Sequence, residues 1–437
     1  MRPISRRFPL FLLTLLMALA LTACGADEPD PTPTPVPPTA TLAPPTQTPI
    51  PPATAIPTVT PTPGSEAMQG QLVIWHSWAQ ADADALTQIL TLAQSTYPNL
   101  QIDTLFVAID NIPQAYADAV LAGGGPDMIL APDWWSPDLL QAGVLAPLDE
   151  FVTPADRDAY WPATLTGLTQ EGVLYGLPTN FELVSLYVNR ALLGETPAPA
   201  TTDDLLTLAA QNPTLGMGLY ANLFHLYWGI PAYGGTLFDG DNRAILDQTP
   251  GTADYLRWLQ RADTTPGVFF EQDYGALIDR FKKGEFAFFV DGPWSTGELR
   301  QALGDNLDVI PLPAGPAGPG QPWLGVDAIF INPNGTADQR WRAVNLARFL
   351  TNAGNGGILA QVANRLPANR NAAIGDDSVR QGFVAQAANA QPLPLAAEMQ
   401  AVWGYGGDML LKAVDGGQDP GQVVAETATL INEANGK

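Results

Sequence analysis

Between Pro29 and Pro63 the chain carries 14 prolines and 10 threonines in 35 residues, with no aromatic and no basic side chain. Such a stretch has too little apolar surface to bury a core, so it divides the molecule. Proline-rich chain favours an extended polyproline II form at about 3.1 Å per residue, which makes this a stalk with a reach of at most on the order of 100 Å. Its threonines also fit a glycan-bearing stalk, on composition alone. Whatever folds must come after about position 70. The residues from about Gln71 to Lys437 are globular in composition and exceed what one hydrophobic core normally takes, so two lobes are expected.

Charge narrows the partners. Three of the 20 Lys and Arg residues precede the stalk, and four of the 44 Asp and Glu residues lie at or before position 70, which leaves the globular part at −23. A field of that sign repels phosphate backbones and anionic headgroups, so nucleic acid is excluded as a partner.

Before the stalk, Arg2, Arg6 and Arg7 form a basic start and Leu10 to Leu21 an apolar run too short to span a bilayer, the layout of an export signal. The run ends in Leu21-Thr22-Ala23-Cys24-Gly25, which resembles the bacterial lipobox. The resemblance implies a cleaved signal peptide over residues 1–23, lipidation of Cys24, and a lipidated stalk over 24–70. The plainer alternative is an ordinary signal peptide with a chance cysteine. Cys24 is the only cysteine, so no disulfide forms within one chain. The expected location is outside the cytoplasm, periplasmic or cell-surface, held to the outer face of the cell membrane.

Along the globular part, Leu72 to Trp75 reads as a buried strand, and Ala79 to Thr96 places Leu86, Ile89, Leu90 and Ala93 at helical spacing. Tyr97-Pro98-Asn99 ends that helix. Gln101 to Val107 alternates as a strand, Ile112 to Leu121 reads as a helix, the glycines before Pro126 stop it, and Asp127 to Leu130 begins a third strand. This βαβαβ start predicts an α/β fold with parallel strands and a ligand site beyond their carboxyl ends, which makes Trp75 to Trp78 and Ala131 to Trp135 candidate pocket walls. From Thr202 to about Leu303 the pattern is mostly helical, interrupted by Glu285 to Val290, where Phe286, Phe288 and Val290 alternate like a strand. Further strands are expected at Leu307 to Ile310 and Asp327 to Ile331. Helices are expected at Gln339 to Leu350, Ser378 to Ala388, Leu395 to Val414 and Pro420 to Ala434.

Leu72-Val73-Ile74-Trp75, Gly125-Pro126-Asp127-Met128-Ile129, Gln141-Ala142-Gly143-Val144-Leu145, Tyr175-Gly176-Leu177-Pro178, Glu182 with Ser185-Leu186-Tyr187-Val188-Asn189-Arg190, Phe281-Lys282-Lys283-Gly284-Glu285 and Asp291-Gly292-Pro293-Trp294 occur in order. The set, from about Gln71 to the C-terminus, resembles extracellular solute-binding proteins of the maltose-binding type. The resemblance implies a two-lobed periplasmic-binding-protein fold, the Venus flytrap, with a central sheet flanked by helices in each lobe. It implies lobe 1 over 71–181 and 326–375, and lobe 2 over 182–325 and 376–437. The implied function is capture of an oligosaccharide of maltose or maltodextrin kind in the cleft and its delivery to ABC transporter permease subunits, by a monomer that needs no cofactor.

Sugars offer apolar faces and a rim of hydroxyls, so a receptor needs aromatic planes and a few polar groups. All 11 tryptophans lie in the globular part, several at strand ends or in Gly/Pro-rich loops: Trp75, Trp78, Trp134, Trp135, Trp294, Trp323 and Trp403. Adjacent tryptophans such as Trp134 and Trp135 cannot both face one core. The resemblance maps Trp294 and Trp403 onto sugar-stacking tryptophans and Glu182 onto a carboxylate that accepts hydroxyl protons. It maps Ser77 and Trp78, with Asp133, Trp134 and Trp135, onto cleft loops that are charged in the maltose binder. Asn222 and Phe224 stand where that protein has a glutamate and a tyrosine. The site is expected to be more aromatic and less charged, leaving the particular sugar open among maltodextrin, trehalose and xylo- or other oligosaccharides.

Catalysis finds little support. His76 and His225 are the only histidines, too few for a multi-histidine metal site, and no nucleophile-elbow or phosphate-loop motif occurs. Asp239-Gly240-Asp241-Asn242 has clustered oxygen ligands but lacks the later glutamate of a calcium loop, and reads as a polar turn; no metal is expected. Two carboxylates suffice for glycoside hydrolysis, so a stalked carbohydrate hydrolase stays as an alternative. A sugar-binding lipoprotein that serves a sensor is another.

Overall fold

A computed structural model describes residues 68–437; the leader, Cys24 and the expected stalk up to residue 67 lie outside the described residues. Met68 is already buried in the core and Gly70 opens the first strand, so the folded part starts slightly before the expected boundary at 70. Strands β1 (Gly70–His76), β2 (Leu100–Phe106) and β3 (Met128–Pro132) alternate with helices α1 (Gln80–Thr96) and α2 (Ile112–Leu121), and β1 pairs in parallel with both other strands. The expected βαβαβ start is therefore present. The chain continues through β4 (Gly176–Glu182), β5 (Ser185–Asn189), β6 (Met217–Tyr220), β7 (Phe269–Glu271), β8 (Phe288–Asp291), β9 (Leu307–Ile310), β10 (Trp323–Ile331), β11 (Leu366–Pro367) and β12 (Gln391–Pro392).

These strands form two main sheets. One has seven strands in the order β11-β4-β10-β3-β1-β2, with β12 beside the start of β10; the other has five in the order β9-β5-β8-β6-β7. Between Glu182, the last residue of β4, and Ser185, the first of β5, two residues carry the chain from one sheet to the other. The long strand β10 begins at Trp323 rather than Asp327, and Trp323 packs in the core of the second sheet while Leu324 and Val326 pack in that of the first.

The period-2 geometry of strands explains how two cores share one sheet. In β5, Leu186 and Val188 enter one apolar cluster and Tyr187 the other; in β8, Phe288 and Val290 face the first of these and Phe289 the second. The alternation expected over Glu285 to Val290 is thus present, but both faces are buried, and the strand starts only at Phe288.

Some elements were not expected. The stretch from Thr202 to Leu303, expected to be mostly helical with an interruption at Glu285 to Val290, also holds β6 and β7, of four and three residues. A helix absent from the sequence reading, α3 (Ala353–Ala363), follows the Asn352 cap, whose Oδ1 accepts from Asn355 N at 2.9 Å. The remaining helices include α4 (Ser378–Ala387), α5 (Met399–Ala413) and α6 (Pro420–Ala434), close to expectation except that α5 starts four residues late, after Pro394. Among the described residues no helix is long and apolar enough to cross a membrane.

Candidate functional site

The register of the seven-stranded sheet assembles one wall of a cleft. Gly325 pairs with Glu182, Asp327 with Pro132, and Leu366 with Phe181. Glu182, Arg365 just before β11, and the turn Asp133–Trp135 just after β3 therefore meet at one edge. Gly325 matters because a Cβ there would stand 3.5 Å from the Glu182 side chain and 3.7 Å from the Trp134 ring, already at van der Waals contact. The facing wall comes from the carboxyl ends of the parallel neighbours β6 and β8, which lead into Asn222–Phe224 and Gly292–Trp294. Trp403 approaches on α5, which presses close to Leu223 at Gly406.

Between these walls lies a cavity of about 550 Å³ lined by Trp134, Glu182, Phe224, Trp294, Arg365, Leu393 and Trp403. Trp134, Trp294 and Trp403 are 38%, 39% and 36% exposed, and all three line this cavity. Large apolar planes left open to solvent at one place are what a ligand with apolar faces needs.

Each ring is held from behind. Trp294 donates its indole N–H to Tyr274 Oη at 3.2 Å, and Tyr274 donates to Asp291 Oδ2 at 2.8 Å. His225 Nε2 lies 3.2 Å from the other Asp291 oxygen, and Nδ1 lies 3.3 Å from Asn222 Oδ1. Trp403 meets the buried Trp323 edge-on at 5.3 Å, and Trp323 stacks on Tyr227 at 3.8 Å. Trp134 rests edge-on against Trp135 at 6.3 Å.

The polar side of the cavity is an ionic network. Arg365 donates to both oxygens of Asp82, at 2.9 and 2.7 Å, and stands 3.6 Å from Glu182 Oε2. Asn180 donates to Asp327 Oδ2 at 3.0 Å. Burial, then the nearby Asp327 carboxylate, pushes Glu182 up to about 7 against the partial relief given by Arg365. Burial likewise raises Asp327, with Arg365 and Asn180 opposing. Asp133, fully buried against Gly167, is pushed well above the usual carboxylate range by burial, with the Val326 amide opposing and the Glu182 and Asp327 charges adding to the rise.

Of the ten residues singled out in the sequence, five line the cavity: Trp134, Glu182, Phe224, Trp294 and Trp403. The other five stand elsewhere. Trp78 is only 7% exposed and belongs to the core of the first sheet, and Trp135 packs against that core, so the adjacent pair divides between cavity and interior. Asp133 is buried beneath the wall, Asn222 spends its side-chain oxygen capping the helix Leu223–Leu226, and Ser77 is half-buried and outside the lining set. Arg365 and Leu393 line the cavity without having been expected. Their only sequence signal is proximity to prolines in short extended segments.

Asp239 Oδ1 accepts from the amides of Asp241 and Arg243, at 3.0 and 2.9 Å, the geometry of a polar turn. Among the described residues no group of three or more His, Asp or Glu side chains is placed to hold a metal ion.

A cleft between two α/β sheets, walled by aromatic planes, describes a binding protein, and sequence comparison agrees. The family model for bacterial extracellular solute-binding proteins matches residues 101–391, more than half of the chain, and the chain belongs to that family. The maltotriose-binding protein of Pyrococcus abyssi is 26% identical over 358 residues, covering 78% of this chain and 76% of the relative. The maltooligosaccharide ABC transporter solute-binding lipoprotein of Streptococcus pneumoniae is 26% identical over 288 residues, 60% of this chain and 66% of that protein. A solved cyclo/maltodextrin-binding protein complexed with maltotetraose superposes with a TM-score of 0.74 at 23% identity, covering 83% of this chain and 97% of the other, so the fold is two-lobed. The protein is an exported solute binder, not an enzyme, which removes the hydrolase alternative.

Proposed function

We propose that this protein is the substrate-binding lipoprotein of an ABC importer, capturing a maltodextrin-like oligosaccharide in the inter-lobe cleft and presenting it to the permease. The observation that carries the reading is the cavity of about 550 Å³ ringed by three half-exposed tryptophans, with Glu182 and Arg365 at its polar edge. Stacked indoles take the sugar faces, and Glu182 accepts hydroxyl protons through charge-assisted hydrogen bonds. The relatives' names supply the substrate class and the transporter. Lobe 1 is taken as 71–181 with 326–375 and lobe 2 as 182–325 with 376–437, in keeping with the two-residue crossing after Glu182. Closure of the lobes around sugar, favoured by contacts that only the closed form makes, creates the surface a permease recognises. The chain works as a monomer on a lipid attached to Cys24, which keeps it beside the transporter.

Titration of the full-length protein with maltose through maltoheptaose, followed by tryptophan fluorescence, is expected to give a saturable change with the sugar recovered intact. Absence of any response to these sugars would reject the substrate class. For the anchor, Cys24→Ser is expected to release the protein from membranes; unchanged membrane association would reject lipidation.

A further inference from the structure

A second cavity, of about 530 Å³, shares only Leu393 with the cleft. Its size falls within the roughly 300–1,000 Å³ of small-molecule sites. Three separate parts of the chain build it. Thr166, Thr169 and Gln170 belong to the segment around the hairpin that pairs Thr169–Gln170 with Val173–Leu174, which packs on the core of the first sheet through Leu168 and Leu174. Asn242 comes from the turn before Ala244, which packs in the core of the second sheet. The third part is the extended segment from Gln391 to Ala396, which holds Pro392 and Pro394.

The lining is chemically uniform in one respect: it contains no Asp, Glu, Lys, Arg or His, in a globular part of strongly negative charge. An ionic ligand would therefore lose its hydration without gaining a counter-charge. Thr166 and Thr169 donate their hydroxyls to the carbonyls of Pro162 and Leu165, at 3.1 and 2.8 Å, and so offer acceptors only, while the exposed carboxamides of Gln170 and Asn242 offer donors and acceptors beside prolines and leucines. Among the described residues the side chains of Gln170 and Asn242 make no hydrogen bond, while Gln391 is anchored by its bond to Gln321 at 2.6 Å. Asn242 holds a left-handed backbone, φ 56°, which a short carboxamide tolerates. Neutral donors and acceptors around an apolar floor suit a neutral polyhydroxylated molecule. With no aromatic plane, such a site binds weakly compared with the cleft.

We propose that this cavity is a second, low-affinity site for a neutral sugar, formed by Thr166, Thr169, Gln170, Asn242 and the segment from Gln391 to Ala396, distinct from the tryptophan cleft. The proposal rests on the sugar-binding reading for its choice of probe, maltotriose. In the full-length Trp294→Ala/Trp403→Ala variant, with the cleft disabled, isothermal titration with maltotriose is expected to leave one saturable site with Kd of about 1 mM or weaker. Adding Gln170→Ala and Asn242→Gly is expected to weaken that residual binding about tenfold, the loss of two modest hydrogen bonds. Independently, intermolecular NOEs from maltotriose to the methyl groups of Thr166 and Thr169, which line the second cavity and not the cleft, are expected in the wild-type chain at saturating sugar. The inference is overturned alone if wild type binds maltotriose in the cleft while the cleft-disabled variant shows no saturable binding, if the added substitutions leave residual binding unchanged, or if those NOEs are missing. If wild type binds no sugar at all, the proposed function falls with it.

Discussion

Arg365 grips Asp82 with two nitrogens, at 2.9 and 2.7 Å, while a third stands 3.6 Å from Glu182. One guanidinium thus faces Asp82, Glu182 and, through charge, Asp327, in a place where the Arg365 and Asp82 side chains are about one-fifth exposed. Removing one partner of such a pair leaves uncompensated charge behind, which typically costs more than the pair contributed. Arg365→Met is expected to lower the unfolding free energy by about 3 kcal/mol, the low end of the range for buried pairs because some solvent reaches the group. Arg365→Lys should recover only part of this, since an ammonium cannot reproduce the two-pronged contact. Urea unfolding midpoints at neutral pH check both; a Lys variant as stable as wild type would mean that the fork geometry contributes nothing.

The raised pKa of Glu182 has a pH signature. Its carboxyl is raised from 4.5 to about 7 by burial and the charge of Asp327. In that window the folded state holds a proton that the unfolded chain has released, so Glu182's contribution is fully present below about pH 4.5 and is lost as pH rises through 7. Glu182→Gln is expected to flatten the fall of stability between pH 4.5 and 7, measured as Tm against pH. Sugar hydroxyls donating to the ionised carboxylate would favour its deprotonated form, so wild-type affinity is expected to rise from pH 6 to 8 and the Gln variant's to stay flat. A pH profile identical in both proteins would remove Glu182 from ligand contact.

Trp294 depends on the residue two places before it. A Cβ on Gly292 would stand 2.1 Å from the Trp294 ring, so the indole occupies the space that glycine leaves. Trp294→Ala is expected to weaken oligosaccharide binding by about 1.5 kcal/mol, roughly tenfold in Kd, without a change in Tm beyond a few degrees. Gly292→Ala keeps the indole but displaces it, and is expected to weaken binding by a similar factor. Fluorescence titrations of the two variants test this pair, and normal affinity in Gly292→Ala would show that ring position is not set by the glycine.

How much of this was legible in the sequence follows from how local each feature is. The order β1-α1-β2-α2-β3 was readable because apolar periodicity and turn residues are local signals. Helix α3 was not, because Gly354, Gly356 and Gly357 are poor helix formers and blur the apolar period. Its glycine content has a packing reason: a Cβ on Gly356 would stand 2.9 Å from that of Ala372. The aromatic part of the site was visible as tryptophans in loops, but nothing local separates Trp134 from Trp135. Arg365 was invisible because the two-residue strand Leu366–Pro367 brings it beside Glu182 across more than 180 residues of chain.

Two glycines inside helices give opposite expectations for one substitution. Gly382 lies in α4, which lies across the edge strand β9, and a Cβ there would stand 2.1 Å from the carbonyl oxygen of Val309. Gln386 on the same helix accepts from Leu312 N at 2.6 Å and donates to Gly320 O at 3.0 Å, so α4 is tied in place and cannot retreat freely. Gly404 lies in α5 with nothing within 4 Å of the added carbon. Alanine is favoured over glycine in a helix by about 1 kcal/mol at either position. At Gly404 that preference stands alone, and Gly404→Ala is expected to stabilise by about 0.5–1 kcal/mol. At Gly382 the clash is with rigid backbone, and overpacking at about 1–3 kcal/mol outweighs the helix preference. Gly382→Ala is therefore expected to lower stability by a net of up to about 2 kcal/mol, read from urea midpoints of the two variants beside wild type. A stabilised Gly382→Ala would mean that α4 can lift from β9 at little cost.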